Sequence, residues 1–448
     1  MGCWCSLRLG KVVFESWRNE IDDSIMVLFS EVEKRIQQIA SDAGDETSDV
    51  ADERLSLIVQ YVTTVEVLKK RLDFLGFTLD TCREMFNIAK IQEIRNCSSR
   101  SQQFGLNSYA ESKRKLNDYY SKRIDLLSGT DADTWILGLR EAFLTPPDAD
   151  PSGLPELVKS FRPGGALPSA RFPEAYDERF RLRFELEATE TGDVTLDISE
   201  LVDGGYCSTS DPLSSWARER VDARDREALH LIVLTEGSTD KFVLESALRV
   251  LRPEITEYLS FMDFAAFKVE GGASFLTNIV RSFAGAGIRD RIVAIFDNDT
   301  SGCLAQSILS KLDLPENIKV MRYPDIDIAR DYPTRGPSGE MMMDVNGSAA
   351  SIELYLGRDS LTDPSGSLIP VQWKGFEPTM KRYQGELIDK RGCMSRFSRK
   401  LDKLDRPIKS TDASAWKDLG TVIDAICSAF EVTDRDFLLS GANGINDD

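Results

Sequence analysis

The chain has 448 residues, 42% hydrophobic and 29% charged, which exceeds the usual size of one domain and suits two or three soluble ones. Its 55 Lys and Arg against 74 Asp and Glu give a net charge of −19, which excludes a protein that coats nucleic acid through bulk charge; any such contact must be local. No apolar run approaches the roughly 18 residues that span a bilayer, and the single histidine, His230, argues against imidazole-rich zinc sites and most Ser-His or Cys-His hydrolases.

The opening Met-Gly-Cys-Trp-Cys-Ser matches the myristoylation pattern through Gly2 and Ser6, with Cys3 as a palmitoyl site. As structure, Trp4, Ser6 and Arg8 alternate with Cys3, Cys5, Leu7 and Leu9, which predicts a half-buried first strand turning at Gly10 and continuing through Val12, Val13 and Phe14. Ile25, Leu28, Val32, Ile36 and Ile39 have the spacing of an amphipathic helix. Residues Ser41 to Glu53 hold six acidic and no basic side chains and read as an exposed linker. Helical periodicity resumes over Leu55–Leu75, Thr81–Ile94, Tyr109–Leu127 and Thr134–Phe143, making this half mainly helical. The Pro and Gly cluster at Pro146–Gly165 ends it, and Phe180 to Leu201 alternates around Thr191-Gly192-Asp193 as a hairpin.

From Leu229 short apolar runs alternate with helices, the pattern of a parallel α/β sheet. Strands are expected at Leu231–Leu234, Ala265–Val269, Ile292–Phe296 and Ile318–Met321. Helices are expected from Ser238 or Thr239 to Leu251, over Ser274–Phe283 and Cys303–Leu312, and then over Ala349–Leu356, Ser395–Leu404 and Ala415–Phe430. The expected domains are 1–225, mainly helical with short β elements; 226–360, α/β with about four parallel strands in a Rossmann-like sheet; and 361–448, a small basic and helical extension. Within the last, Lys374 to Lys409 sets eleven Lys or Arg against five Asp or Glu, so Lys374, Lys381 and Arg382 are candidate nucleic-acid contacts or simply a solvated face. Eight dispersed cysteines, no CxxC pair with metal spacing and no signal-peptide core predict a reducing cytoplasm.

The first strand of this sheet ends in Thr235-Glu236-Gly237-Ser238-Thr239-Asp240 and the third in Phe296-Asp297-Asn298-Asp299-Thr300. Strand C-termini of an open parallel sheet line one crevice, so Glu236, Asp297 and Asp299 can converge although 61 residues separate the first two. Carboxylates gathered in a small space repel unless a hard cation neutralises them, and oxygen-only ligands select Mg²⁺ or Mn²⁺, as one ion or two. Such a site clamps a phosphodiester. Asp240, at the first turn of the following helix, can face the same crevice and serve a second ion, and Gly237 leaves room for phosphate at the backbone. Gly271-Gly272 and Gly285-x-Gly287 are turns, since no GxxxxGK[ST] occurs; Gly271 and Gly272 join Gly237 as places where a backbone can approach phosphate.

EGSTD together with FDND resembles the Toprim domain shared by topoisomerases, bacterial primases and the nucleases of the overcoming-lysogenization-defect type, over roughly residues 230–355. The resemblance implies Glu236 as general acid/base or metal-linked carboxylate, Asp297 and Asp299 as ligands, Asp240 as a second-metal ligand and Glu353 in SIELYLG as a further one. It also implies a lysine beyond the Asp-x-Asp strand, among which Lys374, Lys381 and Lys390 are eligible and Lys390 is preferred. The MGCWCSLRLG start, the helical front half and the RYQGEL segment resemble the HEPN/Toprim-associated proteins of bacterial conflict and anti-phage settings. That resemblance implies metal-dependent cleavage of DNA or RNA, a front half that forms homo-oligomers or reads a companion defence protein, and no membrane partner.

Other readings of the same residues stand beside this one. FDNDT also approximates the haloacid-dehalogenase phosphatase loop, although such a loop normally opens its domain. The acids can instead cap a helix and stay solvated, leaving a module that only binds. Arg224 and His230 formally fit the Arg-x(4–6)-His of HEPN ribonucleases, but His230 adjoins a strand of the α/β half.

Overall fold

The computed structural model describes residues 2–10, 12–40, 55–103, 110–146, 148–161, 177–224, 230–262, 271–404, 413–431, 435 and 438–439. The chain divides into two compact units, Met1–Arg224 with Thr433–Asp448, and Asp225–Val432. It is a mixed α/β protein with a parallel sheet and substantial helices. All eight cysteines are free thiols.

The first unit contains an antiparallel sheet that helical periodicity had hidden. Its strands are β1 (Trp4–Leu9), β2 (Val12–Arg18), β3 (Lys34–Ala40), β4 (Leu55–Thr64) and β5 (Asp193–Asp197), in the order β2-β1-β5-β4-β3. The expected opening hairpin is present: Cys5, Leu7 and Leu9 are buried, and Gly10 turns the chain at φ +57°. The helix expected over Ile25–Ile39 is not. Only Asp23–Met26 is helical; at Ser30 the backbone N–H donates to Glu33 Oε2 at 2.8 Å, a 3₁₀ turn follows, and the chain leaves as β3. Val32 is 90% exposed and Ile36 and Ile39 point outward, so the regular spacing never formed one buried face. Leu55–Leu75 is likewise strand β4 followed by a helix, Val65–Phe74; Val59, Tyr61 and Thr63 are buried with the period of two that a half-buried strand requires. Over Phe180–Leu201 the first arm of the expected hairpin is a helix, Glu178–Thr189, and only the second arm is strand, β5.

Helices Leu79–Gln103, Ala110–Ser128 and Ala132–Leu144 form where expected. Their core is aromatic: Phe86 packs 5.4 Å from Trp135 and 5.8 Å from Phe184, and Trp135 lies 4.8 Å from Phe161, centroid to centroid. The acidic stretch Ser41–Glu53 lies outside the described residues.

The second unit is built on a four-stranded parallel sheet of β6 (Leu231–Leu234), β7 (Leu259–Phe261), β8 (Arg291–Phe296) and β10 (Ile318–Arg322), in the order β10-β8-β6-β7. Every residue of β8 is buried, and its apolar run is continuous rather than alternating, as a strand covered on both faces requires. Helices Ser238–Leu251, Ala273–Ala286 and Thr300–Leu309 come after β6, β7 and β8 in chain order. The strand expected at Ala265–Val269 lies outside the described residues. A two-residue strand, β9 (Asn298–Asp299), extends β8 past Asp297 and pairs antiparallel with β13 (Ala349–Ala350). The helix expected over Ala349–Leu356 is therefore this bridge plus a 3₁₀ turn, Ile352–Tyr355.

The C-terminal stretch expected to be helical also carries strands. A second four-stranded sheet has the order β12-β11-β14-β15, from β11 (Tyr332–Gly336), β12 (Gly339–Met343), β14 (Val371–Glu377) and β15 (Arg382–Leu387). Its antiparallel hairpin β14–β15 precedes helices Lys390–Asp402 and Ala413–Cys427. In β15 Arg382, Gln384 and Glu386 alternate with Tyr383, Gly385 and Leu387, and β14 opens with Val371 and Trp373 alternating with Gln372 and Lys374, so a period of two is present that the charge reading passes over.

Leu234, Leu276, Val280, Ile292, Phe296, Leu309 and their neighbours form the core beneath the parallel sheet. Ile292→Ala should destabilise the protein by about 2–5 kcal/mol in urea unfolding, the range for deleting a fully buried Ile side chain.

Candidate active site

In the sheet order β10-β8-β6-β7 the chain leaves β6 toward β7 on one side and returns as β8 on the other. That reversal opens a crevice between the C-terminal ends of β6 and β8, and both acid-bearing turns fall there. Glu236 follows β6 directly. Its carbonyl accepts from the Gly272 N–H at 2.8 Å, and its Oε1 accepts from the Asp297 N–H at 2.9 Å, which joins the two strand ends. Close backbone approach makes glycine necessary at two points. A Cβ on Gly271 would stand 2.2 Å from the Glu236 carbonyl oxygen, and one on Gly302 would stand 2.0 Å from that of Asp297.

Asp299 caps helix Thr300–Leu309: its Oδ1 accepts from the Gly302 N–H at 2.8 Å, and its Oδ2 accepts from Gln384 Nε2 at 2.6 Å. Asp240, buried in the first turn of helix Ser238–Leu251, accepts at Oδ1 from the Tyr323 hydroxyl at 2.7 Å. Glu353, buried in the 3₁₀ turn, accepts from Ser351 Oγ at 2.5 Å and pairs with Lys390 Nζ at 3.5 Å. Lys390 opens helix Lys390–Asp402, so the favoured lysine does reach the carboxylates.

Asp297 differs from the others. The residue as a whole is half-buried, yet its Oδ1 is buried with no hydrogen-bond partner. Desolvation first, then Asp240, Glu236, Asp299 and Glu353, push its pKa well above the usual carboxylate range. Desolvation also raises Glu236 to about 7; the Asp297 amide and Lys390 pull it down, and Asp299 and Asp240 push it up. Asp240 rises to about 6, through burial first and with Glu353 adding, against the Tyr323 hydrogen bond and Lys390. Burial works to discharge Lys390, but Glu353, Asp297 and Glu386 outweigh it and raise its pKa.

Among the described residues no three His, Cys, Asp or Glu side chains are grouped so that they could hold a metal ion as they stand. The acids repel one another, and all but Asp297 are turned toward protein donors. The donor chemistry nevertheless fits a hard divalent cation. All the side chains are oxygen ligands, and the unpartnered Asp297 Oδ1 lies in the field of four other carboxylates.

Gly237 caps helix Ser238–Leu251, and Gly272 caps helix Ala273–Ala286 at φ +110°, placing both helix N-termini beside Glu236. Lys374, Lys381 and Arg382 sit apart from the acids on the β14–β15 hairpin. Lys374 pairs with Glu386 at 3.7 Å, Lys381 lies in the turn at φ +53°, and Arg382 Nη1 donates to the Gly347 carbonyl at 3.3 Å. His230 Nε2 lies 2.9 Å from Ser260 Oγ in β7, a contact within the parallel sheet. Tyr323 and Gln384 are the residues that sequence reasoning missed. The strand-end rule that found Glu236 and Asp297 also applies to β10, which ends one residue before Tyr323. Nothing in the sequence pairs Gln384 with an acid 85 residues away on another sheet.

The fold and site thus define a mixed α/β protein with buried acids at the switch point of a parallel sheet. Residues 1–220 match the family model of HEPN/Toprim N-terminal domain 1, a match that supports a HEPN/Toprim-associated domain protein. No curated protein and no solved structure matches it. No helix among the described residues is long and apolar enough to cross a membrane.

The raised pKa of Glu236 has a definite sign for stability. The folded protein holds a proton that the unfolded chain releases above pH ~4.5, so stability falls as pH rises from there to about 7, where the loss is complete. In chelator, Glu236→Gln should therefore match wild type near pH 4 and exceed it at pH 8. The expected gain is on the order of 2 kcal/mol, discounted because Glu236 is only partly buried, and is read from urea unfolding at both pH values.

Proposed function

We propose that residues 226–360 form a Toprim-type domain that, with the extension that follows it, cleaves phosphodiester bonds of DNA or RNA with Mg²⁺ or Mn²⁺. The observation that carries this reading is Asp297 Oδ1, buried without a partner among Glu236, Asp240, Asp299 and Glu353 at the switch point of the sheet. The family match of the front half supports it. Asp297, Asp299 and Glu236 would hold one ion, and Asp240 with Glu353 would serve a second. When bound, the cation neutralises the negative charge that develops on the phosphodiester.

The protein's own groups supply the remainder. Glu236, whose pKa is pushed up by burial to about 7 without an ion, is the alternative general acid or base in any arrangement where it does not ligate the ion. Lys390, kept charged by Glu353, offers a cation to the developing oxyanion. The N-termini capped by Gly237 and Gly272 present backbone N–H groups and a positive dipole end to phosphate. The front unit is assigned self-association or recognition of a companion protein, in a cytoplasmic anti-phage or genome-conflict setting.

Incubation with plasmid, linear DNA and RNA tests this. Wild type with Mg²⁺ or Mn²⁺ should cut at least one, chelator should abolish the cut, and Asp297→Asn should lower its rate more than ~100-fold, beyond what loss of an outer partner causes. Cleavage that survives chelator, or equal cleavage by the variant, would end the reading. One observation favours a second reading, a module that binds without cutting: among the described residues the acids are not grouped to hold an ion as they stand. Calorimetric titration with Mn²⁺ separates the two, since the nuclease reading requires binding that Asp297→Asn loses. Turnover of small phosphate monoesters without polynucleotide cleavage would instead point to a phosphatase.

A further inference from the structure

The β14–β15 hairpin carries aromatic rings that the carboxylate crevice leaves without a role. Tyr383 meets Phe376 edge-on with ring centroids 5.2 Å apart, and Trp373 lies 6.2 Å from Tyr383 on its other side. Packing does not account for them: Phe376 is 52% and Tyr383 58% exposed. Lys374, Lys381 and Arg382 adjoin the ring residues along the hairpin, on a chain whose net charge is −19. The Lys374–Glu386 pair is about half-exposed on each side, and a pair of that kind leaves the lysine free to exchange partners.

The rings are fastened to the crevice. Thr300 Oγ1 donates to the Tyr383 carbonyl at 2.8 Å, and the next residue, Gln384, donates to Asp299 Oδ2 at 2.6 Å. The ring pair therefore begins one residue from a side chain that touches a site carboxylate. Exposed aromatic rings next to cations are the elements that hold single strands: bases stack on the rings and cations take the phosphates. A duplex buries its base faces in its own stack and cannot use such rings.

We propose that the hairpin is a stacking platform for unpaired nucleotides, so that the crevice acts on single-stranded or locally unpaired polynucleotide. Phe376 and Tyr383 receive the bases, and Lys374, Lys381 and Arg382 receive the phosphates. This substrate class rests on the phosphodiester reading of the crevice. A protein partner is the competing occupant; three cations on the same hairpin as two exposed rings match a phosphate backbone better than the charge-depleted centre of a protein interface.

Fluorescence anisotropy of the full chain tests the platform. The Asp297→Asn background prevents cutting, and the probes are labelled strands of about 20 nucleotides: single-stranded DNA, single-stranded RNA of the same sequence, and the DNA duplex. Single strands should bind at least ~10-fold tighter than the duplex. Adding Tyr383→Ala or Phe376→Ala should weaken single-strand binding roughly 10-fold, the scale of one stacked base, while Tyr383→Trp should retain it. Both rings are exposed, and thermal melts that match the parent show that the variants fold. Duplex binding as tight as single-strand binding, or ring removal that changes single-strand affinity less than twofold, overturns the proposal in favour of a protein-facing surface. The DNA and RNA arms decide the sugar. Should the protein without Asp297→Asn cut nothing while ring-dependent binding persists, the crevice reading alone falls; should it cut while ring removal has no effect on binding, only the platform falls.

Discussion

Removing a carboxylate from water is costly, and removing several against one another costs more with each addition. Residues 230–431 are arranged around that cost. Glu236 is offset by the Asp297 amide, Asp299 by a helix N-terminus and Gln384, Asp240 by Tyr323, and Glu353 by Ser351 and Lys390. Apart from the Asp297 and Gly302 amides, these donors come from the residue after β10, the residue before the 3₁₀ turn, the hairpin and the helix after it. The same hydrogen bonds that keep the acids tolerable therefore attach the peripheral elements to the parallel sheet. Asp297 Oδ1 is the one carboxylate oxygen of the group left buried and without compensation.

The two sheets of this unit contribute different chemistry. The parallel sheet delivers acids to one edge because its strands all end there. The mixed sheet delivers neutral and cationic groups: Gln384 from β15, then Lys390 from the helix that follows. Asp299 belongs to both. It ends the extension of β8, caps a helix and receives Gln384, so its two oxygens report on the crevice and the hairpin together.

The parallel sheet was readable because strands buried on both faces are short unbroken apolar runs, as in Leu231–Leu234 and Ile292–Phe296. The three long helices of the front unit were readable for their sustained spacing. β3 and β4 were not: β4 runs without a break into the genuine helix Val65–Phe74, so a single helical periodicity could be drawn through both. The hairpin was read from its charge, although RYQGEL alternates polar residues with Tyr383, Gly385 and Leu387; the run is short and Tyr383 and Phe376 are exposed, so the period of two was easily passed over. The acids could be placed because strand ends have a fixed location in such a sheet. Gln384 could not, because its position depends on how two separate sheets meet.

The close backbone approaches at Gly271 and Gly302 carry a consequence for any survey of this protein by saturation mutagenesis. Neither glycine carries a side chain that could take part in chemistry, yet each lies where any other residue would press a Cβ against a carbonyl of Glu236 or Asp297. Variants at these two positions will drop out of a selected library alongside those at the acids themselves. Depletion alone will outline a catalytic map two residues too large, and only a parallel measurement of folded protein abundance will separate the groups that react from the space that lets them meet.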